Sequence, residues 1–92
     1  MKKHPTTIEG FDGTIEALAQ RVGRMRYDKV AEFLDYFGKE LKRQANGDRQ
    51  RGRVKLADIL DEMTETVKGL RFKMERIFAL CKPFMKDEME DE

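Results

Sequence analysis

Hydrophobic residues in the second half of the chain follow a helical repeat. From Leu56 to Phe84 they recur in alternating steps of four and three, which is the 3.5-residue repeat of a helix packed along a seam. The nine seam positions are Leu56, Leu60, Met63, Val67, Leu70, Met74, Ile77, Cys81 and Phe84. The pattern predicts a long third helix over residues 55–82, and Pro83 should end it because its ring cannot follow a helical turn.

Two shorter helices are predicted before this seam. The first covers residues 14–25 with Thr14 as its N-cap, and its apolar face is formed by Ile15, Leu18, Val22 and Met25. The second covers residues 28–45, with apolar positions Val30, Phe33, Leu34, Phe37 and Leu41. Asn46-Gly47 is a turn signal that should end it and open a loop to residue 54, while Gly38 in its interior indicates a close approach by a neighbouring helix.

These elements predict an all-α fold. Helices two and three should form an antiparallel hairpin, with the shorter N-terminal helix added to it in a three-helix, bundle-like domain. The domain spans residues 14–85, after an irregular N-terminal arm (1–13) and before an acidic tail (86–92). A chain of 92 residues is long enough for one core but not for two.

The C-terminal half of helix three carries a second apolar surface beside the seam. Phe72, Phe78, Ala79 and Leu80 lie off the seam, so one neighbouring helix cannot cover both surfaces. We therefore predict completion of the fold by homodimerisation, since symmetric dimers are the commonest way to close such a surface. The predicted assembly residues are Leu70, Met74, Ile77, Phe78 and Cys81. The alternative is a compact monomer in which helix one folds over that end.

Charge is distributed unevenly although the net charge is only +1. Residues 39–55 contain seven basic and two acidic residues, whereas residues 86–92 contain one basic and five acidic residues. Lys39, Lys42 and Arg43 suit the C-terminal end of helix two, where the helix dipole favours cations. The remaining basic residues are Arg49, Arg51, Arg53 and Lys55. They approach the N-terminus of helix three, which disfavours cations, and so predict a nearby anion.

Two anions are candidates for this basic segment, a nucleic-acid phosphate and the acidic tail of a second copy. An extended RQRGRVK segment would place its cations on one side, but it has no aromatic residue on which bases could stack. Nucleic-acid binding through residues 49–55 is therefore the second functional hypothesis and not the favoured one. A helix-turn-helix is disfavoured because Asp28, Glu32 and Asp35 would repel DNA from the recognition helix.

Residues that could support catalysis are few. His4 lies in the predicted arm, and Cys81 occupies a seam position that suits a small buried residue. Asp58, Asp61, Glu62 and Glu65 are interpreted as a solvated acidic face, because a metal site in a bundle normally recruits histidine or facing carboxylates. The sequence thus predicts a non-enzymatic interaction or regulatory protein without cofactor or metal, which self-associates through helix three and could also bind another protein.

Location is predicted from the cysteine count and from hydropathy. A single cysteine excludes an internal disulfide framework and suits a reducing compartment. Neither a signal-peptide apolar run nor a stretch of about 18 apolar residues is present, which argues against membrane insertion. We therefore expect a soluble protein of the cytoplasm.

Overall fold

The computed structural model describes residues 4–84, and these residues form three α-helices without a β-strand. The helices are α1 (Ile15–Gly23), α2 (Tyr27–Gln50) and α3 (Val54–Cys81), followed by a short 3₁₀ turn, Lys82–Phe84. Helices α2 and α3 pack against each other in an antiparallel hairpin. The predicted all-α hairpin with a shorter N-terminal helix is confirmed. The predicted acidic tail, residues 86–92, lies outside the described residues.

Helix α1 begins where the sequence predicts and packs loosely. The Thr14 hydroxyl oxygen accepts a hydrogen bond from the Ala17 backbone N–H at 3.0 Å, which confirms Thr14 as the N-cap. No residue of α1 is buried, and Ile15 is 60% exposed. In this structure α1 therefore does not close over the hairpin as the compact monomeric alternative required.

The predicted end of α2 at residue 45 is wrong. Helix α2 continues through Asn46 and Gly47 to Gln50, because Ala45 is buried against Ala57 of α3 and the buried Asp48 binds Arg53 of the turn, so tertiary packing outweighs the local turn signal. The helix ends at Gln50, and Gly52, with a positive φ of 80°, then reverses the chain.

Backbone hydrogen bonds define this ending as a Schellman motif. The Arg53 N–H donates to the Asp48 carbonyl at 2.8 Å, and the Gly52 N–H donates to the Arg49 carbonyl at 3.1 Å. The connection between α2 and α3 is therefore the short segment 51–53 and not the predicted loop 46–54.

Small residues line the centre of the α2–α3 contact. Ala31, Gly38 and Ala45 recur every seven residues along α2 and are all buried, and the facing Ala57 of α3 is fully buried. A Cβ atom on Gly38 would lie 3.5 Å from Cγ1 of Val67, which confirms the predicted close approach at this glycine. The larger members of the core are Val30, Leu34, Leu41 and Leu60.

The C-terminus of α3 lies at the end of the hairpin opposite the α2–α3 turn. Helix α3 ends at Cys81, two residues before Pro83, as the proline predicts. The linker between α1 and α2 lies beside this end, since the Arg26 guanidinium carbon is 6.0 Å from the centre of the Phe78 ring. The same Arg26 also binds the Asp28 carboxylate at 2.6 Å.

The close approach at Gly38 predicts a size-dependent response to substitution. We expect Gly38→Ala to raise the free energy of unfolding by about 0.5–1 kcal/mol, because the methyl group fits and alanine favours the helix. Gly38→Leu should lower it by about 1–3 kcal/mol, because the longer side chain must displace Val67. Urea unfolding of both variants measures this difference, and equal stabilities would contradict the close approach.

Candidate interaction surface

The α2–α3 hairpin has two different faces. One residue turns an α-helix by about 100°, and in an antiparallel pair the residues that precede the contact positions lie on the same side of both helices. The residues that follow the contact positions lie on the opposite side. We call the first side the apolar face; it comprises Phe33 and Phe37 of α2 and Leu56, Ile59, Met63, Leu70 and Ile77 of α3.

Helix α3 contributes a regular stripe to the apolar face. Leu56, Met63, Leu70 and Ile77 are spaced seven residues apart, and each is between 38% and 47% exposed. Leu60, Val67, Met74 and Cys81 are spaced in the same way but are buried or half-buried. The predicted seam of nine residues is therefore two adjacent stripes, of which one is turned inward and the other is turned to solvent.

Helix α2 contributes an aromatic pair to the same face. The rings of Phe33 and Phe37 stack with centroids 6.1 Å apart, and both side chains remain about 45% exposed. Their helical spacing grouped them with the core in the sequence. The repeat of small residues Ala31, Gly38 and Ala45 is the sequence signal that distinguishes the buried stripe of α2 from the two phenylalanines. Small side chains let α3 pack more closely than phenylalanine side chains would.

The opposite, charged face is held by ion pairs between the two helices. Lys42 Nζ lies 3.0 Å from Asp61 Oδ1, and Arg71 Nη1 lies 3.1 Å from Asp35 Oδ1. Lys39 adds a second cation to Asp35 at 3.1 Å. Because each of these cations is paired with a carboxylate of the same chain, the charges on this side of the hairpin largely neutralise one another.

The predicted assembly residues fall into two groups. Leu70 and Ile77 lie on the exposed stripe of the apolar face. Met74 and Cys81 are half-buried on the inward stripe, and Phe78 is half-buried beside the α1–α2 linker. Phe78 contacts Arg26, and Cys81 shares a pocket with Met25 and Tyr27. The structure therefore leaves Leu70 and Ile77 as the accessible members of this set.

The basic segment has intrachain carboxylate partners. Arg49 Nη2 lies 3.0 Å from Asp58 Oδ1 and 2.8 Å from Asp61 Oδ2. Arg53 Nη1 lies 2.9 Å from Asp48 Oδ1. Three cations of the predicted site are thus engaged locally, since Arg51 also approaches Asp48 Oδ1 at 3.5 Å.

This arrangement corrects the predicted geometry of residues 49–55. Arg49 is in the last turn of α2, Lys55 is in the first turn of α3, and only residues 51–53 connect the helices, so the segment is not extended. Lys55 is exposed and makes no ion pair within residues 4–84. The basic residues were expected to lie near an anion, and the structure places Asp48, Asp58 and Asp61 of the same chain beside them.

Ion pairs lower the pKa of two carboxyl groups of the hairpin, Asp61 and Glu40. Hydrogen bonds from Lys42 and then Arg49 hold the pKa of the Asp61 carboxyl below its ordinary value of 3.8. Hydrogen bonds from Arg43 and Gln44 lower the pKa of Glu40 from 4.5 to about 2. Arg49 itself has a raised pKa through its hydrogen bonds to Asp61 and Asp58. These carboxylates therefore act as structural ion-pair partners.

Other candidate chemistry is sparse in the part of the chain that the structure describes. His4 is exposed in the N-terminal arm, and residues 4–84 contain no group of three His, Cys, Asp or Glu side chains placed to hold a metal ion. No helix within this range combines the length and apolar character needed to cross a membrane. Comparison with models of protein families, with curated proteins and with solved structures gave no match to the chain.

The pairing of Asp48 with the basic turn predicts a stability effect. We expect Asp48→Ala to lower the free energy of unfolding by about 1–3 kcal/mol, because it removes the buried acceptor of Arg53. The control Asp58→Ala should cost less than about 1 kcal/mol, because that side chain is 65% exposed. Urea unfolding at neutral pH compares the two, and equal losses would contradict a structural role for Asp48.

The lowered pKa values predict acid sensitivity. A carboxyl group with a lower pKa in the folded state stabilises the protein above its unfolded pKa and loses this effect as the pH falls. The free energy of unfolding should therefore fall between about pH 4.5 and pH 2, the range set by Glu40. Asp61→Asn should reduce this pH dependence, because it removes a carboxyl group whose pKa is lowered by Lys42 and Arg49. Chemical unfolding across this range measures both slopes, and identical slopes for wild type and Asp61→Asn would contradict the role of Asp61.

Proposed function

We propose that this chain is a non-catalytic interaction protein of the cytoplasm that self-associates as a homodimer through the apolar face, with α3 as its main contact. The observation that carries the proposal is the seven-residue repeat of exposed apolar side chains at Leu56, Met63, Leu70 and Ile77. A repeat of this period on a helix surface is the pattern by which helices pack side by side. The aromatic pair Phe33–Phe37 widens the surface beyond a single stripe.

The architecture of the hairpin supports the same proposal. A stable domain normally packs two layers of secondary structure around one core, but α2 and α3 form one layer and α1 has no buried residue. The apolar residues buried between the helices are alanine, valine and leucine, whereas the apolar face exposes phenylalanine, methionine and isoleucine as well as leucine. A second copy of the hairpin would supply the missing layer.

The exposed area is sufficient for such an assembly. The chain exposes 7795 Å², whereas a compact monomer of 10.8 kDa exposes about 5,500 Å². Part of the excess comes from the loosely packed α1. The total difference exceeds the roughly 800 Å² that each partner buries in a standard interface.

The alternative, nucleic-acid binding through Arg49, Arg51, Arg53 and Lys55, has weaker support. Arg49, Arg51 and Arg53 already face carboxylates of the same chain, and a phosphate would have to compete with those contacts. Only Lys55 lacks such a partner within residues 4–84. A different protein that presents an apolar helix could also occupy the apolar face, and this outcome is separated from self-association by the experiment below.

An aspartate on the apolar face should separate the two copies. We expect Leu70→Asp to weaken dimerisation by at least about 100-fold, because each copy would bury an unpaired charge in the interface. Leu70 is 47% exposed in the single chain, so its helix content should be retained. Sedimentation equilibrium measures the mass, and circular dichroism measures the helix content.

Lys68→Asp is the matched control, because it places an aspartate on α3 at an exposed position of the charged face. It should leave the dimer intact. A wild-type chain that remains monomeric at all concentrations, or equal dissociation by both variants, would contradict self-association through the apolar face.

A further inference from the structure

The charges along α3 indicate how a second copy is oriented. We propose that two copies pack with their α3 helices antiparallel, related by a two-fold axis at the level of Gly69. This proposal rests on the proposed self-association and adds its polarity and register. It is carried by charge complementarity, by the spacing of apolar residues and by the position of the aromatic pair.

Helix α3 is divided into an acidic and a basic half. Residues 56–65 include four acidic residues and no basic one, whereas residues 68–76 include four basic residues and one acidic residue. Most of these charges are already paired within the hairpin on the charged face, which leaves Glu62, Lys73 and Arg76 beside the proposed contact. An antiparallel pairing places Glu62 beside a basic residue of the other copy, and a parallel pairing places like charges side by side. Acidic residues near a helix N-terminus are also favoured by the helix dipole, so the acidic half alone does not require a partner. The register is therefore inferred from individual charged positions.

Glu62 and Arg76 occupy the decisive positions. They lie seven residues before and seven residues after Gly69, along the outer edge of the exposed stripe. Neither side chain has an ion-pair partner within residues 4–84. A two-fold axis at Gly69 brings Glu62 of each copy opposite Arg76 of the other. It also brings the two glycines together, where nothing within 4 Å occupies the space of a Cβ atom.

The same register aligns the apolar side chains. Leu56, Ile59 and Thr66 lie within about two residues of the level of Leu80, Ile77 and Leu70 of the other copy, so these side chains can pack side by side as the knobs of an antiparallel helix pair. Met63 faces Lys73, whose hydrocarbon stem can cover it while the ammonium group reaches solvent. A parallel pair would instead set Lys73 against Lys73.

The aromatic pair of α2 lies at the level of this axis. Gly38 faces Val67, and Asp35 binds Arg71 at 3.1 Å, so the segment between Phe33 and Phe37 is level with Gly69 and Leu70. One two-fold axis therefore stacks α3 on α3 and the aromatic pair on its counterpart. Two such hairpins form a four-helix assembly with the charged faces outward.

Cysteine cross-linking tests the polarity directly. In a Cys81→Ala background, the double variant Glu62→Cys/Arg76→Cys should form disulfide-linked dimers under mild oxidation, whereas each single cysteine variant should not. Within one chain these positions are about 21 Å apart along α3, beyond the roughly 7 Å limit between Cα atoms for a disulfide. Non-reducing gel electrophoresis measures the linked fraction.

Charge reversal provides a second measurement on the same pair. Glu62→Arg and Arg76→Glu should each raise the dimer Kd by about tenfold, since two rim contacts become repulsive. The combined variant Glu62→Arg/Arg76→Glu should restore the wild-type Kd. Sedimentation measures these constants.

The outcomes separate this proposal from the proposed function. A wild-type dimer in which the single Glu62→Cys and Arg76→Cys variants each link to themselves would be parallel, and it would overturn the antiparallel register while self-association stands. A wild-type dimer with no cross-link in any variant and no rescue by charge exchange would also overturn the register. A wild-type monomer at all concentrations would overturn both proposals.

Discussion

The close approach of α2 and α3 along Ala31, Gly38 and Ala45 is the constraint on which the rest of the structure depends. Small side chains recur along the α2 side of the contact, and a Cβ atom on Gly38 would already lie 3.5 Å from Cγ1 of Val67. The phenylalanines and other large apolar side chains outside this contact lie at the margin of the hairpin. On one side they remain exposed as the apolar face, and on the other side long charged side chains bridge the helices.

The bridges on the charged face fix the alignment of the two helices and also account for much of the basic cluster. Asp61 receives both Lys42 and Arg49, and the Asp48 side chain receives Arg53 at the turn. Individually, exposed ion pairs contribute little to stability, but a connected set opposes sliding of one helix along the other. Charges that resemble a ligand-binding cluster in the sequence are therefore part of the hairpin itself.

The proposed assembly follows from the same constraint. If Phe33, Phe37 and the exposed stripe of α3 packed inside the hairpin, no large apolar surface would remain for a partner. The small-residue contact instead leaves that surface outside, and Glu62 and Arg76 at its edge have no ion-pair partner among residues 4–84. The apolar face, which the packing of α2 on α3 leaves exposed, is therefore the surface proposed for self-association.

Much of the fold was predictable because its signals are local. Thr14 caps α1, Pro83 follows the end of α3, and the apolar repeat from Leu56 onward requires a helix whatever its partner. Gly38 indicated a close helix contact because a helix rarely tolerates glycine without such a reason. The basic segment was recognised as electrostatically unusual, although its carboxylate partners lie up to twelve residues away in the sequence and meet it only across the hairpin.

The sequence by itself determined the three α-helices of residues 4–84 and the excess of apolar surface on α3 over what one neighbour can cover. The tertiary structure decided which apolar stripe turns inward, because an apolar repeat does not specify which of its two adjacent stripes meets the small residues of α2. It also decided where α2 ends, because burial of Ala45 and Asp48 extends the helix past Asn46-Gly47 to the positive-φ residue Gly52. Local patterns specify the helices, whereas the packing of α2 against α3 selects the faces that they present.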